Sequence, residues 1–252
     1  ITYSFVYGDV LFLVYSLQDW WRSSSGEASM KSTYLSTDVK NWFKEQIALY
    51  PNTKYRVTLS HKNIFSGSGH SVDAETPLFR EIMLPIIKEC EIDLAIQGHD
   101  HCYEVIGPVD PDSRTLIEGS VTDTTHVEIN TNTNMTGITG GTYTTDDGTL
   151  YFIGATCGRK RYYPHSRERM ENDYTEDPAL LKDNKHHNVK NYFDLFTGMF
   201  GQPEAPCFTK VTVKDDCIEL NSYTADDDRG NVSLINTMRI VRTKPHTVPV
   251  LN

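Results

Sequence analysis

Residues 55–98 read as strand, helix, strand, and that order restricts the fold more than any other feature of the chain. "YRVTLSH" (55–61) is a short apolar run ending in a histidine, and a glycine- and serine-rich loop, "SGSGHS" (66–71), follows it. Thr76-Pro77 then opens a helix, because proline is well tolerated at a first helical position. Leu78, Phe79, Ile82, Met83, Ile86, Ile87 and Cys90 recur at helical spacing, with a kink expected at Pro85. "IDLAIQG" (92–98) is the second strand. Two strands joined by a helical crossover lie parallel in one sheet, so their C-terminal ends share an edge. Ligands of open α/β sheets bind outside that edge.

Histidines fall there. His61 ends the first strand, and His99 and His101 follow the second in Gly98-His99-Asp100-His101. If the strand runs on, residues two apart face the same way and both rings address one centre. If it stops at Gly98, the glycine permits a tight turn that swings both rings over the edge. Neutral imidazoles converging in either way are ligands for zinc, iron or manganese. A strand-end histidine taken alone is commonly structural. Asp100 is expected to orient a ring or face solvent rather than bind metal.

Upstream, "YSFVYGDVLFLVYS" is two apolar runs joined by Gly8-Asp9, a hairpin with a tight turn. A helix is expected over 37–50, with Ser36 or Thr37 as N-cap and Pro51-Asn52 as its stop. Val39, Trp42, Phe43, Ile47 and Tyr50 would form its apolar face. Downstream of 105 the chain turns to strands and polar loops, clearest at 148–155, 207–213, 217–223 and 238–243. Residues 159–206 are charged and tyrosine-rich and read as an irregular insertion with a few short helices.

A net charge of -10 argues against a nucleic-acid surface, and no stretch approaches eighteen consecutive apolar residues, so no membrane span is expected. Residues 1–15 lack a basic leader and a cleavage site, which speaks against a signal peptide. Sequons at Asn134 and Asn231 point to an extracytoplasmic, secreted or periplasmic location. The five cysteines form no CxxC pair. His186-His187 reads as a solvated loop, "GRKRYYPH" (158–165) as a surface loop that could also hold an anion, and "DDDRG" (226–230) as a turn.

"VTLSHKNIFSGSGHS" followed by "DLAIQGHDHCYEV" resembles the last two signature blocks of the calcineurin-like metallophosphoesterases, in their purple acid phosphatase-like branch. The family's GHxH block falls on Gly98–His101 and its upstream metal histidine on His61. The hairpin, the "YLSTDVKNWFKEQI" helix and "GTLYFIGATCG" are similar to that branch as well. The resemblance implies a four-layer α/β/β/α sandwich, of which residues 1–252 form the C-terminal part, with a mixed sheet and a β-rich tail. It implies two divalent or trivalent ions (iron, zinc or manganese) and a phosphate monoester or diester substrate. His61 and His99 would bind one ion and His101 the other, while His70, in the loop after the metal histidine, would face the phosphate.

The family's first three blocks, DxH, GDxx(D/Y) and GNH(D/E), do not occur in this sequence. No histidine has an aspartate two residues before it, and there is no Asn-His pair. Asp9 belongs to a hairpin turn and is not read as a ligand. The chain is therefore expected to carry half of a two-metal site and to partner the N-terminal half of the same domain. Two rivals stand beside this reading. One is a mononuclear zinc enzyme using His61, His99 and His101, and the other is a non-catalytic relative that serves binding.

Overall fold

The computed structural model describes residues 2–16, 32–73, 75–126, 135–182, 185–187, 192–225 and 230–250. The N-terminal hairpin pairs β1 (Tyr3–Tyr7) antiparallel with β2 (Val10–Val14) around Gly8, whose φ of +57° suits glycine. Helix α1 (Ser32–Leu49), β3 (Tyr55–Leu59), α2 (Glu75–Glu89) and β4 (Leu94–Gln97) follow. Then come β5 (Tyr103–Val109), β6 (Val121–Thr122), β7 (Thr125–His126), β8 (Met135–Thr136), β9 (Ile138–Thr139), β10 (Thr142–Thr144) and β11 (Thr149–Gly154). A short α3 (Arg167–Asn172) precedes β12 (Phe196–Gly201), β13 (Cys207–Val213), β14 (Ile218–Ala225) and β15 (Val232–Val241).

An eight-stranded mixed sheet runs β1-β2-β3-β4-β11-β5-β12-β8, and a five-stranded sheet runs β13-β14-β15-β10-β6. The expected strand–helix–strand unit is present: β3 and β4 are parallel neighbours, and α2 connects them. Alternation on β2 shows why its run is apolar throughout. Leu11 and Leu13 pack with Phe43, Ile47, Phe79, Met83 and Ile86 of the two long helices. Val10 and Phe12 join the opposite cluster with Val57, Leu94, Phe152, Leu220 and Ile240, between the two sheets. Both faces are covered, so polar positions have nowhere to go. Each fully buried Leu or Phe contributes about 1.5–3 kcal/mol. The described residues thus build helix, sheet and sheet, three layers in the expected order.

Helix α1 begins at Ser32, five residues before the expected start, so Ser36 and Thr37 lie inside it and do not cap it. Once the turn around Phe43 and Ile47 is packed, adding N-terminal turns needs no new nucleus. Tyr50, expected on the apolar face, lies past the helix end and is 40% exposed. Strand β12 lies within the tract read as an insertion, yet it pairs with β5 inside the main sheet. Its sequence, "FTGMFG", carries two glycines and no alternation that would mark it.

A buried ionic cluster pins the sheet at the end where β3 and β4 begin. Asp93 accepts from the Arg56 N–H at 2.8 Å, from Thr145 Oγ1 at 2.9 Å and from Arg242 Nη1 at 3.1 Å. A buried carboxylate is tolerated because it is paired and hydrogen-bonded. With the strand starts fixed there, the strand ends at the other edge stand in register, and those ends carry the histidines.

Candidate metal and phosphate site

Strand β4 stops at Gln97 and the chain bends over residues 98–100, so the strand does not run on through the histidines, and of the two rings expected over the edge only His99 joins His61. Gly98 N–H donates to the His61 carbonyl at 3.1 Å, tying the two strand ends together. A Cβ at residue 98 would lie 3.1 Å from that carbonyl and 3.5 Å from His61 Nδ1, so the approach suits glycine. His99 adopts φ +74°, an uncommon value for a non-glycine residue, and its ring comes to lie against His61 and His70.

His99 Nδ1 lies 3.2 Å from His61 Nε2, and the His99 and His70 ring centroids are 3.7 Å apart. His70 sits on a 3₁₀ turn (Gly69–Val72), and its Nδ1 donates to Asp73 Oδ2 at 2.7 Å. The ligating atoms of His70, Asp73 and His99 all fall within 4.8 Å of one another. Burial, reinforced by His70, Lys62 and His61, pushes the His99 imidazole down to about 4, and burial lowers His61 as well. Both rings are therefore neutral near pH 7, the form that binds metal.

His101 is not part of that group. Its Nδ1 donates to the Lys160 carbonyl at 2.9 Å, and its ring stacks on Tyr162 at 4.5 Å. Tyr162 also meets the His70 ring edge-on at 5.0 Å. The "GRKRYYPH" loop therefore forms a wall of the site. The Lys160 ammonium lies over the Tyr162 ring, and Arg161 donates to the Glu204 carbonyl at 2.7 Å. His187 lies elsewhere, its backbone bonded to Asp173 and Thr175.

Asp100 corrects an expectation. It neither orients an imidazole nor faces water: it is 1% exposed. Its carboxylate accepts from Asn63 Nδ2 at 2.8 Å, from the His70 N–H at 2.9 Å and from Ser66 Oγ, binding the loop after β3 to the turn after β4. Glu104 lies beneath, accepting from the Gly67 N–H at 3.1 Å. Sequence reasoning also passed over Lys62, Asp73 and Tyr162. Asp73 had a signal, three residues after His70 with an acceptor for its ring. Tyr162 had none, since it reaches His101 across some sixty positions.

The His61–His99 separation fits a shared ion. Two nitrogens on one tetrahedral zinc, each at about 2.0–2.1 Å, lie roughly 3.3–3.4 Å apart. His101 fits a ligand's role too, because a metal-binding histidine ordinarily gives its other N–H to a carbonyl or carboxylate.

The structure matches the purple acid phosphatase isolated from yellow lupin (Lupinus luteus) seeds with a TM-score of 0.51 and 16% identity, over 96% of this chain and 32% of that one. The fold is that of part of a purple acid phosphatase. In sequence, 92 residues, 35% of this chain and 23% of the relative, are 30% identical to purple acid phosphatase 3 of Arabidopsis thaliana. The purple acid phosphatase-like metallophosphoesterase relationship read from His61 and Gly98–His101 is thus found by sequence and by fold. The chain spans only about a quarter to a third of the length of these purple acid phosphatases. No family model matches it. Among the described residues no helix is long and apolar enough to cross a membrane.

Proposed function

We propose that this chain supplies the C-terminal histidine ligands of a dinuclear, metal-dependent phosphoesterase acting on phosphate monoesters or diesters. The observation that carries the reading is the 3.2 Å approach of His61 Nε2 to His99 Nδ1 at the C-terminal edge of β3 and β4. These two would hold one ion of iron, zinc or manganese, and His101 the other through Nε2, the nitrogen not bonded to the Lys160 carbonyl. When bound, such ions supply a hydroxide nucleophile and neutralise charge on the phosphoryl oxygens. His70, with its Nδ1–H fixed by Asp73, keeps Nε2 for a phosphoryl oxygen or the leaving group.

On this reading residues 1–252 are the C-terminal part of one domain, and the remaining ligands come from an N-terminal part carrying the three absent motifs. The single-ion reading with His61, His99 and His101 has less support, since His70 and not His101 stacks on His99. An extracytoplasmic location is part of the proposal, supported by the exposed sequon at Asn231; Asn134 lies outside the described residues. The test is metal content, measured separately for His99→Ala and His101→Ala after complementation with the N-terminal motifs. Each should lose about one ion together with turnover of an aryl phosphate. Unchanged metal content in both variants would refute the assignment.

A further inference from the structure

Lys62, the residue after His61, sits where a metal ligand's supporting acceptor ought to be. Its ammonium donates to His99 Nε2 at 2.8 Å and forms an ion pair with Glu75, in the first turn of α2. An ammonium has three donors and no acceptor, so Nε2 must offer its lone pair and the ring hydrogen resides on Nδ1. That hydrogen points at His61 Nε2, along the line a shared ion would occupy. Turning the ring over would place carbons against both partners, so the hydrogen-bond pattern fixes the orientation.

The contrast with His101 is direct. His101 gives its Nδ1–H to a backbone carbonyl, the arrangement that raises a ligand's basicity at Nε2. His99 has the reverse: a cation on the far nitrogen, withdrawing the electron pair and repelling a second cation. A carboxylate stands close by, Asp73 Oδ2 at 3.8 Å from His99 Nε2, but Lys62 holds the nearer position.

We propose that Lys62 is an internal cation that competes with metal for His99. It is a positioning residue: with its ammonium on Nε2 the ring is held in the form that does not ligate through Nδ1. Loading the His61–His99 position requires Lys62 to withdraw onto Glu75, which frees Nε2 to carry the hydrogen toward Asp73. The inference rests on the reading of His61 and His99 as metal ligands and adds that this chain weakens its own ion.

The experiment is calorimetric titration of zinc and of manganese into the 252-residue chain, wild type against Lys62→Gln, Lys62→Met and His99→Ala. Both Lys62 variants should bind the ion about tenfold or more tightly than wild type, the scale on which supporting partners act. In the metal-free variants, ring ¹⁵N shifts should show the His99 hydrogen moved from Nδ1 to Nε2. Unchanged or weaker binding in both Lys62 variants, with binding lost in His99→Ala, would overturn the proposal and leave the ligand reading standing. Binding retained at wild-type strength in His99→Ala would overturn both.

Discussion

The Asp100 carboxylate accepts the backbone N–H of His70 at 2.9 Å, joining two loops that lie thirty residues apart in the chain. One buried side chain thereby anchors the backbone of the loop that carries His70. Asp100 also receives Asn63 and Ser66, so its removal would leave donors buried without partners. Asp100→Ala should destabilise the fold by about 2–4 kcal/mol, more than an ordinary surface change. Urea denaturation measures this, and a loss below 1 kcal/mol would show that water or a rearranged loop replaces the carboxylate.

Glu104 makes a second prediction, on pH. Ser66 Oγ has one hydrogen and lies beside Asp100 and 2.9 Å from Glu104 Oε1, while accepting from the Ser68 N–H at 3.1 Å. With the Ser66 hydrogen given to Asp100, the remaining contact is satisfied when Glu104 is the protonated partner. Burial, and then the Asp100 charge, raise the Glu104 carboxyl well above the usual carboxylate range. A raised folded pKa means that the stabilisation is fully present below the ordinary glutamate value and is lost as pH rises through the folded value. Glu104→Gln should therefore gain stability relative to wild type as the pH goes from 5 to 8. Equal differences at both pH values would mean that Glu104 is ionised throughout.

The His70–Asp73 pair is expected to serve turnover rather than metal retention. With the N-terminal motifs supplied, His70→Ala should lower turnover of an aryl phosphate by roughly 10²–10⁴-fold. Bound metal should stay nearly constant. Asp73→Asn should show a smaller loss in the same direction, because it releases the ring without removing it. Loss of metal in parallel with activity would make His70 a ligand, as its 3.7 Å stacking on His99 would allow.

The 252 residues alone should show no turnover of an aryl phosphate with zinc or manganese added. Two-ion chemistry needs a bridging carboxylate, and none of the three motifs that provide further ligands occurs in this sequence. The same assay with a separately expressed polypeptide carrying those motifs is the companion measurement. Turnover by the chain alone would mean that Asp73 or another unassigned donor completes the site.

Strand β1 supplies the last prediction. Among the described residues it is the edge of the eight-stranded sheet, and Phe5 and Tyr7 are 41% and 65% exposed there. An apolar edge with unpaired backbone groups favours association. Phe5→Lys should shift the chain toward monomer in sedimentation at high concentration without lowering its thermal midpoint appreciably. An unchanged distribution would place any self-association elsewhere.

Local pattern was enough for much of this molecule. The hairpin, the β3–α2–β4 unit and the strand-end position of His61 and His99 follow from hydrophobic period and from Gly8 and Gly98, signals carried by residues adjacent in the chain. The start of α1 was not legible, because its first turns extend a helix that packing elsewhere had nucleated. Nor was β12, whose place beside β5 depends on partners some ninety positions away. Lys62, Tyr162 and Asp100 show the same division at the site. The placement of His61 and His99 at strand ends was legible in the sequence, because each follows an apolar run. Which nitrogen of each ring carries the hydrogen was decided only when the folded chain brought a carbonyl to His101 Nδ1 and an ammonium to His99 Nε2, because a carbonyl accepts the ring hydrogen and an ammonium takes the lone pair.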